Sequence, residues 1–403
     1  MKKKLVLLLT VIFCFGSFNL LFADTIKIGV HGPMTGPAAE VGRYIKNGAL
    51  MAADEINEKG GVLGKKIELV FGDTESKPEV GVSVLERFMT KDKVDLIVGG
   101  LHSSVNIAME EAAAKYGKIF VTGGPVSEIL SDRVKNEPDK YWFFFKTAPA
   151  YSEMKSSYRT FFKYLKESNL FAPKSKKIVA IVEDTDYGRG LAASFEEAMN
   201  EDGWKLAATE VVKIDQADFS AQMSKLRVYN PDVLYTVQTS PAAAASLCKS
   251  FYQSGIQAFF LAIYTPSNPE YINLTGKASD TLVWASSIDW VPAYAKNFLE
   301  KYRARFNEDP GQNAGIQYDA IMNVAAAIDL AKSTESKKIA EAMVKIKNKG
   351  TMGIYQYDPT SHVAVSGEAF IPVWFSQIID GKHYKIYPDE FKERPYTSQK
   401  WLK

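Results

Sequence analysis

Over most of the chain, short runs of β-branched and aromatic residues alternate with longer stretches in which apolar residues return every three or four positions. The first long stretch places Val41, Ile45 and Ile56 on one face, which predicts a helix. Repeated strand–helix units predict a parallel sheet with helices on both faces. The strands of this series are expected at 25–30, 67–71, 96–98 and 119–122, and the later helices at 79–89 and 103–115.

The same alternation restarts near residue 150, without a close sequence repeat between the halves. Its strands are expected at 178–182, 206–212, 233–237 and 259–262, and its helices at 151–168, 187–200, 219–229 and 242–254. The tail adds a strand at 282–286, helices at 294–306, 312–331 and 339–345, and short β segments at 354–357, 373–379 and 384–387. Because two separate α/β units would not need this tail, the chain is expected to cross between two lobes more than once.

The N-terminus has the pattern of a secretory signal peptide. Three lysines at 2–4 precede an apolar run at 5–22, and Ala23 precedes the polar Asp24. The run is interrupted by Thr10, Gly16, Ser17 and Asn19. A membrane span needs about 20 cleanly apolar residues, so a permanent anchor fits less well. The order of charge, apolar stretch and small residue predicts removal of 1–23 and export to the periplasm.

Charge and cysteine content exclude several classes of protein. Without 1–23, the chain keeps 46 of its 49 basic residues against 47 acidic ones, a net charge near −1. No block of like charge stands out, so nothing points to nucleic acid or an anionic membrane surface as a partner. Cys248 is the only mature cysteine, which rules out an internal disulfide and leaves stability to core burial.

Ligands of parallel α/β sheets bind beyond the carboxyl ends of the strands, so the residues that follow each strand are candidates. Residues 99–104 follow the third strand and 122–127 follow the fourth. Their hydroxyls stand at helix starts, where they could serve only as caps. The same geometry offers hydroxyls and free N–H groups to a carboxylate. The candidates in these two loops are His102, Ser103, Ser104, Gly124, Pro125, Val126 and Ser127.

In the second half, the candidates again follow predicted strands. Tyr187, Thr239 and Tyr264 are expected at the rim of the sheet. Tyr187 could cover a ligand with its ring, or it could pack the start of its own helix. The loop at 31–37, with two glycines and two prolines, fits a ligand loop and an ordinary connection equally well.

The sequence offers little for catalysis or metal binding. It contains no nucleophile elbow, zinc-protease motif, P-loop or dinucleotide-binding motif. Its four histidines have no metal-binding spacing. His102 and Ser103 are neighbours at a helix start and point in different directions, so they do not make a catalytic pair. We expect no enzyme, no metal and no other cofactor.

Taken in order, these segments resemble the periplasmic branched-chain amino acid binding proteins of ABC importers. The resemblance covers essentially the whole mature chain and rests on order and spacing, since no single motif is diagnostic. The segments that carry it are IKIGV at 26–30 with GPMTGP at 32–37, DEIN at 54–57 with GGVLG at 60–64, Asp73, IVGG at 97–100 with Ser103 and Ser104, DYGRG at 186–190, DFS at 218–220, and Gly315, Tyr318, Asp319 and Ala320.

The resemblance implies a type I periplasmic-binding-protein fold of class α/β. In this fold two doubly wound parallel-sheet lobes are joined by three crossings and close on a ligand by hinge motion. The implied first lobe comprises 24–148 and 276–352, and the second comprises 149–275 and 353–403. The implied crossings lie near 147–151, 273–279 and 352–357.

The resemblance also implies roles for the candidate residues. A ligand carboxylate would meet Ser103, Gly124 and the segment 126–127. Tyr187 would cover the ligand from the second lobe. Tyr151, at the first crossing, joins the candidate ligand residues.

One departure from the family pattern bears on the ligand. Members that bind amino acids commonly carry an acid after the strand at 259–262 to hold the ammonium group, and Tyr264 follows that strand here. Burying an ammonium group without a carboxylate is costly. The ligand could therefore be an aromatic or aliphatic carboxylate, or an amide. Amino acids stay possible if Glu183, Asp184 or Asp186 supplies the acid.

The implied function is that of the solute-binding component of an ABC importer. Such a protein would capture a small carboxylate or an amino acid, either a branched-chain or hydrophobic amino acid or an aromatic acid, and would deliver it to the membrane permease as a monomer. The alternative is a sensory receptor domain that reports ligand occupancy without transport. A receptor usually carries a further span or output domain, which this sequence does not show.

Overall fold

The computed structural model describes residues 25–367 and 369–402, so the predicted signal peptide at 1–23 lies outside the described residues. The strands are β1 Thr25–Gly32, β2 Lys66–Asp73, β3 Leu96–Gly99, β4 Phe120–Thr122, β5 Phe144–Lys146, β6 Lys177–Glu183, β7 Lys205–Val212, β8 Val233–Val237, β9 Phe259–Ile263, β10 Val283–Ser286, β11 Asn348–Lys349, β12 Ile354–Tyr355, β13 Trp374–Ile379 and β14 Lys382–Tyr387. The α-helices are α1 Ala39–Glu58, α2 Pro78–Arg87, α3 Ser103–Ala113, α4 Glu128–Asn136, α5 Pro138–Tyr141, α6 Ser152–Glu167, α7 Asp186–Asn200, α8 Ser220–Tyr229, α9 Pro241–Ser254, α10 Pro269–Thr275, α11 Pro292–Phe306, α12 Gln312–Ala331 and α13 Ser336–Met343.

The first sheet has the strand order β2–β1–β3–β4–β5, and all of its strands are parallel. Helices cover both faces, because alternate residues of a strand point to opposite sides. In β3, Leu96 and Val98 pack into a core shared with α1 and α12, whereas Ile97 packs with α2 and α3. The doubly wound architecture predicted from the alternating pattern is confirmed here.

The second sheet has the strand order β14–β13–β10–β9–β8–β6–β7. Its strands from β10 to β7 are parallel, and β13 and β14 add an antiparallel hairpin at one edge. The hairpin turns through Asp380 and Gly381, both with positive φ, as a tight two-residue turn requires. The sheet is therefore mixed, because a hairpin needs no helical crossover between its strands.

The packing of the helices on the two sheets divides the structure into two lobes. The first lobe is the first sheet with α1–α5 and α11–α13, and the second lobe is the second sheet with α6–α10. Helix α11 belongs to the first lobe because its Phe298 and Tyr302 pack with Tyr44 and Met51 of α1. In the second lobe, Phe161 of α6 stacks on the sheet. Among the described residues, no helix is long and apolar enough to cross a membrane.

The predicted lobe boundary at 276 is wrong. Strand β10 pairs in parallel with β9 and antiparallel with β13, so the stretch 276–286 belongs to the second lobe. The apolar pattern identifies β10 as a strand, but a strand's partner is chosen across the sheet and leaves no mark in its own sequence. The second passage between the lobes therefore lies at 287–291.

The predicted boundary at 353 is also wrong, because the chain stays with the first lobe for about ten more residues. The Ala364 N–H donates to the Lys146 carbonyl oxygen at 2.8 Å, which adds a short bridge to the edge of the first sheet. The His362 ring stacks on Phe145 with ring centroids 4.3 Å apart. The third passage therefore lies at 365–373, and the first lies at 147–151.

Candidate functional site

A cavity of about 30 Å³ lies where the two lobes meet. Its wall joins the ends of β3, β4, β6, β8, β9 and β10, which is the edge where parallel sheets bind ligands. Its lining residues are Leu101, Gly124, Val126, Met154, Tyr187, Leu191, Thr239, Ile263, Tyr264, Ser286, Ser287, Ile288 and Asn313.

Five of the ligand residues predicted from the sequence line this cavity. They come from both lobes and from four different loops, so the fold brings together segments that are far apart in the chain. These five residues are Gly124, Val126, Tyr187, Thr239 and Tyr264.

His102 and Ser103 are buried beside the cavity, at the start of α3. The Nε2 atom of His102 lies 3.5 Å from Thr239 Oγ1, so this pair connects the lobes. Burial lowers the pKa of His102 to about 4, which keeps the ring neutral at pH 7. Within the described chain, His102 Nδ1 and Ser103 Oγ make no hydrogen bond of standard geometry. Both groups therefore lie buried beside the cavity without a standard protein partner.

The predicted residues Ser127 and Tyr151 line a neighbouring, wider cavity of about 480 Å³. The Tyr151 hydroxyl donates to the Asp186 carbonyl oxygen at 2.9 Å, and Ser127 Oγ caps α4 by accepting from the Ile129 N–H at 3.3 Å. Burial raises the pKa of Tyr151, and interactions with the hydroxyls of Ser103 and Ser127 oppose this rise. These two residues thus flank the interlobe cavity.

The predicted residues Ser104 and Pro125 line neither cavity. Ser104 is the second residue of α3, one position beyond the buried Ser103. Pro125 stands between two residues that do line the interlobe cavity. The sequence places them at the right loops, but side-chain direction within a loop is set by the backbone conformation.

Glu183 is a buried acid whose two oxygens both accept hydrogen bonds from the protein. Its Oε2 accepts from the backbone N–H and from the hydroxyl of Thr239, both at 2.7 Å, and its Oε1 accepts from the Thr185 hydroxyl at 2.9 Å. Burial raises the pKa of Glu183, and these three hydrogen bonds oppose the rise. Glu183 therefore holds Thr239 in place and does not itself line the cavity.

The other two acids considered from the sequence are also outside the cavity lining. Asp184 pairs with Arg189 at 2.8 Å on the surface. Asp186 lines the wider cavity. Every residue that lines the interlobe cavity is uncharged at neutral pH.

Sequence reasoning missed the residues that the second passage and α12 bring to the cavity: Ser286, Ser287, Ile288 and Asn313. Ser286 and Ser287 end and follow β10, so the strand-end rule would have found them had β10 been placed in the second sheet. Asn313 carries no such signal, because it reaches the cavity through the packing of α12 on α1.

Tyr264 has a backbone conformation that is rare for a residue with a side chain. Its φ is 58° and its ψ is −62°, the region of the strained γ-turn. Its hydroxyl accepts a hydrogen bond from Asn313 Nδ2 of the first lobe. Such strain persists where the surrounding structure holds it, and it is typical of ligand sites.

A buried lysine lies behind the loop that follows β4. Lys146 is 1% exposed, and its Nζ donates to the Ser127 carbonyl oxygen at 2.7 Å. Burial lowers its pKa to about 7, while Glu128, Glu110 and Asp132 oppose this fall. Lys146 therefore holds in place the loop that carries Gly124.

Acidic, histidine and cysteine side chains are scattered through the described residues. Across 25–367 and 369–402, no three of them are grouped so that they could hold a metal ion.

Comparison with known proteins agrees with this architecture. A family model described as periplasmic binding protein matches residues 25–382. The Leu/Ile/Val-binding protein homolog 1 of Brucella abortus (strain 2308) is 27% identical over 370 residues, which cover 91% of this chain and 94% of that protein. The leucine-, isoleucine-, valine-, threonine-, and alanine-binding protein of Pseudomonas aeruginosa is 28% identical over 347 residues, covering 82% and 84%.

Solved structures share the fold over almost the whole chain. A leucine binding protein from Thermotoga maritima has a TM-score of 0.78 and 25% identity, and the match covers 91% of this chain and 100% of that one. A solute binding protein of an ABC transporter from R. palustris, in complex with benzoate, has a TM-score of 0.77 at 17% identity, with 94% and 99% covered, and shows the fold alone. With two α/β lobes, an interlobe cavity and a family match over 25–382, this chain belongs to the periplasmic binding protein family.

Proposed function

We propose that this protein is the solute-binding component of an ABC importer and captures a small carboxylate in the cavity between its lobes. The observation that carries the proposal is the composition of that cavity: buried hydroxyl, amide and aromatic groups from both lobes, and no charged side chain among the lining residues. Such a lining suits binding and orientation. The ligand leaves the site chemically unchanged, and a membrane permease receives it.

The first-lobe wall supplies the carboxylate site in this proposal. Ser103 starts α3 beside His102, and Gly124 exposes backbone near them. A helix start favours a negative group because its first N–H groups lack partners and its dipole is positive. Lys146, buried beneath the loop that follows β4, holds this wall in place through its hydrogen bond to the Ser127 carbonyl oxygen.

The second-lobe wall favours a ligand without an α-amino group. Of the three acids considered from the sequence, Glu183 is engaged by Thr239 and Thr185, and Asp184 by Arg189. Asp186 lines the neighbouring cavity and not this one. An ammonium group in this cavity would lose its hydration without gaining a carboxylate partner, which is costly. An aromatic or aliphatic carboxylic acid avoids that cost.

Binding requires the lobes to move. A volume of about 30 Å³ admits one or two water molecules. A ligand the size of benzoate needs more room, so the lobes must separate at the passages 147–151, 287–291 and 365–373 and then close around it. Closure of this kind gives the permease a shape that differs between the two states.

Calorimetric titration of the mature chain tests the proposal, after unfolding and refolding to remove carried-over ligand. The titrants are leucine, valine, phenylalanine, benzoate and phenylacetate, with benzamide as the uncharged control for benzoate. We expect benzoate or phenylacetate to bind, and benzamide to bind at least about tenfold more weakly, because a hydrogen bond to a charged group is the stronger kind. Binding of amino acids alone would show that another acid holds the ammonium group. If none of the carboxylates binds, the proposed function is contradicted.

A further inference from the structure

Asn313, the residue of α12 that lines the cavity, has more hydrogen-bonding groups than the protein itself uses. Asn313 is 1% exposed and lines the cavity. Its Nδ2 donates to the Tyr264 hydroxyl, and its Oδ1 has no partner among the described residues. If the amide were rotated by 180°, Oδ1 would accept from the Tyr264 hydroxyl and Nδ2 would lack a partner instead. One polar atom of this amide is therefore unpaired in either orientation.

Two further amides of α12 also have unpaired atoms, although they do not line the cavity. Gln312 accepts from Ser286 Oγ through its Oε1 at 3.3 Å, while its Nε2 has no partner in the described chain. Gln317 is 1% exposed, and neither polar atom of its amide has a partner there. Helix α12 itself begins after Gly311 without a side-chain cap, so its first N–H groups add unpaired donors at the same end.

Gly124 keeps the space beside Asn313 open. A Cβ atom at Gly124 would lie 3.0 Å from Asn313 Oδ1 and 3.1 Å from the Gly100 carbonyl oxygen. A side chain there would cover the unpaired amide atom. With glycine, a ligand in the cavity can reach Asn313 directly.

We propose that Asn313 and Tyr264 form a second recognition subsite, which binds a hydroxyl group that the ligand carries in addition to its carboxylate. A hydroxyl suits this subsite because it donates and accepts at once: it donates to Asn313 Oδ1 and accepts from the Tyr264 hydroxyl. A methyl group at the same place would leave the buried amide oxygen unpaired. A second charged group would be buried without a counter-ion, since every lining residue is uncharged. The ligand class is therefore a hydroxylated carboxylic acid, an inference that rests on the proposed function.

Matched pairs of titrants test this subsite on the refolded mature chain. The pairs are benzoate with 3-hydroxybenzoate, benzoate with 4-hydroxybenzoate, and valine with threonine, in which a hydroxyl replaces a methyl group of nearly the same size. We expect the hydroxylated member of at least one pair to bind about tenfold or more tightly, because a site built to bond a hydroxyl rejects the analogue that lacks it. The variant Asn313→Leu should lose this preference.

The control is Asn323→Leu on the same helix. Asn323 is fully buried but bonds Tyr357 and Asn348 instead of lining the cavity, so its variant should keep the preference for the hydroxylated ligand. Equal affinities within every pair would overturn the subsite and leave the proposed function standing. A preference that survives in Asn313→Leu would also overturn it. If Asn313→Leu fails to fold, the affinities of the ligand pairs for the natural chain still test the subsite. Failure of every carboxylate to bind would instead contradict the proposed function.

Discussion

The two walls of the interlobe cavity differ in how far their polar groups are already paired. On the second-lobe wall, Glu183 accepts hydrogen bonds from Thr239 and Thr185, so the Thr239 side chain is held without a ligand. On the first-lobe wall, His102 Nδ1, Ser103 Oγ and Asn313 Oδ1 lack partners of standard geometry among the described residues. A buried group gains most from a ligand when it has no other partner. We therefore expect the second lobe to act as a preformed surface and the first lobe to supply most of the binding free energy.

The strongest test of this difference is Glu183→Gln, which should damage the preformed wall. The variant keeps the size of the side chain but replaces the carboxylate with an amide, which has one oxygen and one NH2 group. If the NH2 group takes the place of Oε2, it faces the N–H and the hydroxyl of Thr239, which are also donors. We expect the free energy of unfolding, measured by urea denaturation, to fall by about 3 kcal/mol. The control Asp184→Asn removes only the exposed pair with Arg189 and should change it by less than about 0.5 kcal/mol. Equal changes would contradict the assigned role of Glu183.

Measurements at acid pH should distinguish the effect of His102, which lies between the lobes, from that of His31, which lies inside the first lobe. Burial lowers the pKa of both His102 and His31 to about 4, from 6.5 in the unfolded chain. The stability that depends on the neutral rings is therefore complete above about pH 6.5 and is lost as the pH falls toward 4. At pH 5 the loss is about 2 kcal/mol for each ring.

We expect the pH dependence of ligand affinity to come from His102 and not from His31. His102 contacts Thr239 of the other lobe, so we expect water to reach its ring when the lobes separate. His31 instead bonds Asn106 inside the first lobe. Affinity measured by calorimetry should therefore fall between pH 6.5 and pH 5, and His102→Gln should remove this fall. His31→Gln should keep it. An unchanged pH profile in His102→Gln would show that the closing contact does not involve this ring.

A smaller effect is expected from Ser103→Ala on the unpaired wall. Loss of one hydrogen bond to a carboxylate should weaken binding by about 1.5 kcal/mol, roughly tenfold, with the fold intact. Ser104→Ala is the matched control, because Ser104 is partly exposed, whereas Ser103 has a buried hydroxyl that lacks a partner among the described residues; the Ser104 variant should bind like the natural protein. An unchanged affinity in Ser103→Ala would remove Ser103 from the carboxylate site.

The smallest effect is expected at the surface contact between the lobes. Arg43 of α1 pairs with Glu270 of α10 at 2.8 Å and also with Glu308 of its own lobe, and all three side chains are partly exposed. Such pairs contribute less than about 1 kcal/mol, so Arg43→Met should raise the ligand dissociation rate by about twofold. Arg303→Met, which breaks a pair within the first lobe, should leave the rate unchanged. A tenfold change in the rate would show that the rim, and not the buried walls, controls release.

The sequence predicted the fold class well and the site in part. The two βα series and the loops after β3, β4, β6, β8 and β9 follow from local periodicity and from the strand-end rule. Gly124, Tyr187 and Tyr264 line the cavity as that rule requires. Ser104 and Pro125 do not, because the rule selects a loop and not the direction of each side chain. The ligand roles of all these residues stay predictions.

By itself, the sequence determined the alternating α/β architecture and the near-neutral charge, since each depends on residue type or on neighbours along the chain. Only the tertiary structure decided that β10 joins the second sheet, that 357–364 lies against β5, and that Asn313 reaches the cavity. It also decided that Glu183 is engaged by Thr239 rather than free for a ligand. These features depend on contacts between residues tens to hundreds of positions apart. Periodicity specifies which face of an element is buried, but it does not specify the partner that buries it.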